Sequence, residues 1–217
     1  MTTTSLSPAK ILYNDGSVSL LIRPLCKEDA STLNTAVQES LDNLLPFMDW
    51  AHSELSEKNQ LDRIITSNQN HLQKFEYDFA VFDNSGNFLV SVSWHPSKTR
   101  NKKCFEIGYW THAKHCNKGL ATLVTKILTF TAFDFMECDR VEIGCNKANN
   151  LSKKVIEKCE FFFEGEIRNY FSKPTEKMLN NGYSSERTYL LYGLTIEDLP
   201  KVSWYSEINN HIKIFQI

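Results

Sequence analysis

The chain has 217 residues, 41% of them hydrophobic and 23% charged, the composition of an ordinary globular domain long enough to bury a substantial core. Its formal net charge of −2 excludes the global basic field by which proteins gather nucleic acid. No apolar run of about 18 residues exists, and the opening MTTTSLSPAK lacks the apolar stretch of a secretory signal, which predicts a cytoplasmic protein without a membrane segment.

In chain order, residues 10–13 and 17–23 flank Asn14-Asp15-Gly16 and predict an opening hairpin. Glu28 and Asp29 then precede Leu33, Val37 and Leu41 at helical spacing, an amphipathic helix with acids at its start. Leu61, Ile64, Ile65 and Leu72 mark a second helix. Residues 79–82 and 88–94 around Asn84-Ser85-Gly86 predict a second hairpin, and a strand follows over 104–111. Between these two strands Lys98, Arg100, Lys102 and Lys103 form either a local basic patch or, as the preferred reading, a solvated loop.

From Gly119 onward, Leu120, Leu123, Val124, Ile127, Leu128 and Phe135 recur with helical period, and residues 140–145 shorten to a strand. Another helix begins near Asn150. Strands near 161–170 and 188–194 follow, joined by a loop of about sixteen residues, longer than most connections. After Pro200 the tail carries Trp204, Tyr205, Ile208, Ile212, Ile214, Phe215 and Ile217, too apolar to stay free. It is expected to pack on its own domain, with a homodimer contact as the alternative. No repeat or linker divides the chain, so residues 1–217 are read as one domain of the α/β or α+β class, its core at about 18–196 and an apolar extension at 198–217.

Six cysteines, Cys26, Cys104, Cys116, Cys138, Cys145 and Cys159, lack the spacing of a disulfide framework and are expected to be reduced thiols. His112, His115 and Cys116 have no second ligand pair elsewhere, so no metal is expected.

The run over residues 106–121, EIGYWTHAKHCNKGLA, leads a strand through a glycine turn into the long helix. Such a junction binds phosphate, because amides at a helix start lack partners and converge with the helix dipole on an anion.

Ile107-Gly108-Tyr109-Trp110, followed by Cys116-Asn117-Lys118-Gly119-Leu120-Ala121, resembles the acetyl-CoA-binding core of the GNAT N-acetyltransferases. Gly119 and Ala121 match that turn, whereas Cys116 stands where Gln or Arg is usual and Asn117 where Gly is frequent. Asn149-Asn150-Leu151-Ser152, with Val155 and Glu160-Phe161, resembles the family's Asn-x-x-Ser element, with Glu160 in place of its glycine. Residues 163–169, Asn181-Gly182-Tyr183, and Glu39-Ser40 with Leu44-Leu45-Pro46-Phe47 and Trp50-Ala51 are similar to the branch containing ribosomal-protein N-terminal acetyltransferases.

The resemblance implies a central mixed, splayed sheet with helices on both faces, acetyl-CoA as cosubstrate, and an amine acceptor such as a ribosomal or other protein N-terminus. It places the cofactor against Cys116, Asn117, Lys118, Gly119, Leu120 and Ala121, against the main chain of Trp110 and Thr111, and near Asn149 and Ser152. Ser152 becomes the candidate proton donor to the departing sulfur, unless it serves only in the first helical turn; Asn149 binds cofactor or merely caps. Glu106 becomes the candidate base, or else a structural ion-pair partner. Trp50 and Tyr183 border the acceptor side, or else are core. Tyr109 is assigned to the core on its bulk.

A terminal α-amine, with pKa of about 8, is roughly a tenth neutral at pH 7, against about one part in a few thousand for a lysine-like amine. The expected acceptor is therefore a protein or peptide N-terminus, attacking acetyl-CoA directly in a ternary complex. A polyamine or other small amine is the alternative, followed by a CoA-binding module without catalysis and by an interaction protein whose tail is the contact surface.

Overall fold

The computed structural model describes residues 7–97 and 103–216. Lys98, Arg100 and Lys102 of the basic loop lie outside the described residues. The elements are β1 (Pro8–Asn14), β2 (Ser19–Arg23), α1 (Ala30–Glu39), α2 (Leu41–Leu44), α3 (Glu57–Leu72), β3 (Tyr77–Phe82), β4 (Phe88–Pro96), β5 (Cys104–Thr111), α4 (Leu120–Asp134), β6 (Arg140–Asn146), α5 (Asn150–Lys158), β7 (Phe162–Ile167), α6 (Glu176–Asn180), β8 (Tyr189–Thr195), α7 (Tyr205–Asn209) and β9 (Ile212–Gln216).

The strands make one mixed sheet in the order β7-β8-β6-β5-β4-β3-β2-β1-β9. Among the described residues every pairing is antiparallel except that of β5 with β6, which run parallel. Both expected hairpins form. In the first, Asp15 accepts hydrogen bonds from the amides of Ser17 and Val18, each at 2.8 Å, which closes the turn beside Gly16 at φ 89°.

Alternation along the strands sends side chains to two cores. On one face Phe79, Trp94, Ile107, Ile143 and Leu194 pack against α4 and α5; on the other Ala80, Phe82, Phe88 and Trp110 pack against α1, α2 and α3 through Leu33, Val37, Leu44 and Ile64. The helix expected across Leu33 to Leu41 breaks at Ser40, whose φ of −109° and ψ of 4° leave the helical region while its hydroxyl donates to the Ala36 carbonyl at 2.6 Å. The long loop before β8 contains α6, capped by Thr175, which accepts from the Met178 amide at 3.2 Å.

Helix α4 is apolar almost all round, with Val124, Ile127, Leu128, Phe130, Ala132 and Phe133 buried. A helix of that kind needs cover on more than one side. The sheet supplies one side and the tail supplies another: Tyr205 lies 5.2 Å from Phe130 between ring centroids, and buried Trp204 donates its indole N–H to the Cys159 carbonyl at 3.1 Å. The tail then continues into β9, which pairs with β1 through Ile11 and Ile214. This edge strand was not visible in the sequence pattern.

The tail also accounts for Glu160. That residue follows α5 at φ 61°, the left-handed conformation in which glycine is unstrained and other residues pay about 1 kcal/mol or more. Its carboxylate accepts the Ser203 amide at 2.9 Å and the Ser203 hydroxyl. A glycine would relax the backbone and remove this anchor. Replacing Trp204 by Ala is expected to cost about 3–5 kcal/mol in urea unfolding; a loss below about 1 kcal/mol would show that the tail covers α4 only loosely.

Candidate functional site

Strands β5 and β6 share a ladder only from Cys104↔Arg140 to Ile107↔Ile143. Beyond it β5 continues beside β4 as far as Thr111↔Val90, and β6 continues beside β8 as far as Asn146↔Tyr189. The two inner edges therefore part, leaving a cleft in the sheet at residues 108–111 and 144–146.

Antiparallel pairs alternate between bonded and non-bonded, which identifies the main-chain groups facing this cleft. The His112 amide donates to the Leu89 carbonyl at 2.9 Å and the Ser97 amide to the Cys104 carbonyl at 3.2 Å, so even-numbered residues of β5 turn their polar groups to β4. Tyr109 and Thr111 face the cleft. Trp110 was expected to offer its main chain there, and the register corrects this: Trp110 pairs with Ser91, and its side chain is buried in the core against Phe88 and Trp50. Its indole N–H is buried with no partner among the described residues. On β6 the Lys147 amide donates to the Thr188 carbonyl at 2.9 Å, and the same alternation turns Gly144 toward the cleft.

After β5 a short 3₁₀ turn over Ala113–His115 leads to Asn117 at φ 60° and Gly119 at φ 76°, the residue immediately before α4. Among the described residues, no amide from 117 to 122 donates to a protein acceptor. These six groups gather at the positive end of a fifteen-residue helix, an arrangement suited to phosphate. Lys118 is exposed beside them, Leu120 turns partly into the core, and Ala121 adds little bulk. Cys116 contributes no side chain to this cup. Its thiol folds back toward the carbonyls of Thr111 at 3.8 Å and His112 at 3.6 Å, and burial raises its pKa.

The turn is fastened to α1. The Ala113 amide donates to the Ser40 hydroxyl at 2.9 Å, and Glu39 pairs with Lys114 at 2.5 Å and His112 at 2.8 Å. His112 also approaches the Phe88 carbonyl at 3.4 Å, so its ring nitrogens are both engaged.

On the α4–α5 face, Ser152 lies 2.9 Å from the Tyr109 hydroxyl, either group being able to donate. Burial raises the Tyr109 pKa above the ordinary phenol range, so this hydroxyl keeps its proton at neutral pH. Asn149 accepts the Ser152 amide at 3.0 Å and caps α5. That bond accounts for Asn149 and leaves the Ser152 hydroxyl to Tyr109.

On the opposite face Glu106 accepts a 2.6 Å hydrogen bond from Tyr189. Burial first, and then the charge of Glu106, raise the Tyr189 pKa. A Cβ on Gly144 would meet the Tyr189 ring at 2.1 Å, so the absence of a side chain there lets the phenol span β6. Tyr183 is buried against the segment after α2: it donates to Asp49 at 3.2 Å, its ring lies 5.3 Å from His52, and the Ser184 amide donates to the Pro46 carbonyl at 2.9 Å, whereas the Trp50 ring lies 6.2 Å from that of Trp110. Arg63 lies 5.2 Å from the Trp50 ring centroid. The site thus has two sides, with Tyr109 and Ser152 on one and Glu106 on the other, meeting where the strands part. The ring of Tyr109 packs against the core, as its bulk suggested; the contact of its hydroxyl with Ser152 became visible only once α5 was in place.

A family model described as the acetyltransferase (GNAT) domain matches residues 19–161. Two Bacillus subtilis (strain 168) proteins are similar in sequence. "Putative ribosomal N-acetyltransferase YdaF" is 27% identical over 149 residues, covering 69% of this chain and 81% of that protein. "Probable N-acetyltransferase YjcK" is 30% identical over 153 residues, covering 69% and 84%. Mycobacterium smegmatis RimJ in complex with CoA-disulfide has the same fold, with a TM-score of 0.76 at 17% identity over 95% of this chain and 97% of that one.

A β-branched residue at the left-handed Gly119 position costs about 1–2 kcal/mol. Gly119→Val is therefore expected to lower Tm by roughly 2–8 °C and to remove most of the stabilisation that saturating CoA gives the parent protein, about 2.7 kcal/mol at a hundredfold excess over Kd. Thermal melts with and without CoA check this, and an undiminished CoA shift would contradict the cup.

Proposed function

The chain belongs to the GNAT acetyltransferase family, and from that premise we propose that it acetylates the N-terminal α-amine of a protein or peptide by direct attack on acetyl-CoA in a ternary complex. The observation that carries this reading is the two-sided cleft: unpartnered amides and the Tyr109–Ser152 pair on one side, the Glu106 carboxylate on the other, joined through a gap in one sheet. Acetyl-CoA supplies an activated acyl group, so the protein's main tasks are to bind, align and move protons.

In this reading the 117–122 amides hold the diphosphate, while the free main-chain edge of Tyr109 and Thr111 receives the extended arm as an added strand would. An amide on that edge stabilises the charge gained by the thioester oxygen as the amine attacks. Glu106 takes up the amine's proton, directly or through water. Tyr109, kept protonated by burial, and Ser152 return a proton to the departing sulfur as a pair, which gives Tyr109 a role the sequence did not assign. Trp50 and Tyr183 border the side on which the first residues of the acceptor lie. The ribosomal name of one Bacillus subtilis relative supports a protein N-terminus as acceptor. The acids on the Glu106 face favour a polyamine as the second reading.

Thiol release from acetyl-CoA, measured across N-terminal peptides, lysine peptides, polyamines and aminoglycosides, tests the proposal, with product mass locating the acetyl group. Release with N-terminal peptides is expected. Release confined to polyamines would select the second reading, and CoA-dependent stabilisation without transfer to any amine would mark a binding module. Ser152→Ala is expected to lower kcat by about a hundredfold while the Kd for CoA changes less than about threefold. Unchanged turnover would remove Ser152 from the proton path.

A further inference from the structure

The Glu106 face holds a second group of polar side chains that the reaction outlined above leaves unused. His95 on β4 stands directly opposite Glu106 on β5. Its Nδ1 is bonded to Glu76, and its Nε2 lies 2.6 Å from the hydroxyl of Ser93, two residues back on the same strand. The hydrogen bond to His95 holds the Glu76 carboxyl below its ordinary range, so Glu76 is ionised and can only accept. Nδ1–H therefore donates to Glu76, and Nε2 of the neutral ring accepts from the Ser93 hydroxyl. The result is a carboxylate–imidazole–hydroxyl string, the order in which a carboxylate orients an imidazole to take a proton from a hydroxyl.

Three further observations set this string beside Glu106 and the point where the strands part, with Ser93 itself buried beneath Gly108. First, it packs over Gly108, the residue at which β5 leaves β6: a Cβ there would lie 2.8 Å from Ser93 Oγ and 3.0 Å from His95 Nε2. The glycine between Glu106 and Trp110 thus makes room for the string at the cleft. Second, the His95 side chain is 42% exposed, so a proton received by the ring has a route to solvent. Third, acids surround it. One atom each of Glu76, Asp78 and His95 lie within 4.8 Å of one another, and Glu106 faces the ring from β5. From α3, Arg63 acts by its charge on both Glu76 and Asp78, and Asn70 donates to Glu76 at 3.2 Å. Partial burial disfavours the imidazolium, but the bond to Glu76 and the charges of Glu76, Asp78 and Glu106 outweigh it and raise the His95 pKa.

We propose that Glu76, His95 and Ser93 form a second proton-accepting unit for the acceptor amine, with Ser93 touching the amine, His95 as the base and Glu76 as the positioning residue. This rests on the acetyl-transfer reading and assigns it residues that the family resemblance did not point to. The acceptor ammonium gives a proton to Ser93 Oγ as the hydroxyl's own proton passes to His95 Nε2, leaving a neutral amine and an imidazolium paired with Glu76. The amine nitrogen then bonds to the acetyl carbon. As the carbon–sulfur bond breaks, the nitrogen loses its second proton to Glu106 and the sulfur gains one from the Tyr109–Ser152 pair; solvent carries a proton from Glu106 back to that pair, and the imidazolium releases its own proton to solvent. One ammonium and one thioester thus give one amide, one thiol and one free proton. Before it takes that second proton, Glu106 also attracts the incoming ammonium by its charge.

The test is kcat/KM for the acceptor from about pH 5.5 to 9 at saturating acetyl-CoA, for the parent protein, Glu76→Gln and His95→Gln, with NMR titration of the His95 ring. The amine's own titration is common to all three. In the parent, activity falls as pH drops through the His95 pKa, above the ordinary imidazole value of about 6.5. Glu76→Gln removes the charge that raises that pKa, so the acid limb and the ring titration move down together by about one pH unit. His95→Gln, which keeps a polar side chain beside Ser93, abolishes the limb and lowers kcat about a hundredfold, with the KM for acetyl-CoA unchanged. An acid limb identical in the parent and Glu76→Gln overturns the proposal even if His95→Gln does not fold. If a CoA-binding parent protein transfers acetyl to no amine at all, the acetyl-transfer reading falls and this one with it; transfer with an unmoved limb overturns only the relay.

Discussion

The site depends on two neighbouring parallel strands that stop sharing hydrogen bonds after four residues. A continuous ladder between β5 and β6 would consume the polar groups of Tyr109, Thr111 and Gly144 within the sheet. Their separation leaves an edge inside the protein that can receive an extended ligand, while β4 and β8 keep each strand rigid from its other side. Side chains cross near the gap on both faces: Tyr189 reaches Glu106 on one, and Ser152 meets Tyr109 on the other. The opening is thereby held without main-chain pairing, and the two chemical halves of the site lie on opposite sides of one sheet.

Three departures from the family's motifs become intelligible in the same terms. Cys116 lacks the side chain usual at the turn, yet the cup is built from amides, and the thiol fills space beneath it. Asn117 adopts a left-handed conformation that Asn tolerates better than most residues with a side chain. Glu160 accepts a similar strain after α5 and uses its carboxylate to hold Ser203 and the tail. At these positions the main chain forms the turn or helix end while the side chain is engaged elsewhere.

The tail has a structural cause of its own. Helix α4 presents apolar residues on more sides than the sheet can cover, and the segment from Trp204 to β9 covers part of the remainder before closing the sheet's edge at β1. The helix that supplies the anion cup is thus packed against both the sheet and the tail. In the proposed reading that rigidity leaves the amides at its start already oriented for an anion.

The sequence by itself determined what depends on neighbours along the chain: the hairpins at Gly16 and Gly86, the periods of α3 and α4, the glycine turn at Gly119 and the Asn149 cap. Together with the family resemblance these were enough to read the fold and the turn that opens α4. Only the tertiary structure decided what depends on pairing between distant segments: that Tyr109 rather than Trp110 turns its main chain to the cleft, that Tyr109 meets Ser152, that Glu106 lies opposite His95, and that the tail ends in a strand. The physical reason is the two-residue period of a strand, in which a shift of one position reverses every side chain and every hydrogen-bonding group. Local patterns establish that a strand exists, but its register is set by partners far away in the chain, as β9 is from β1.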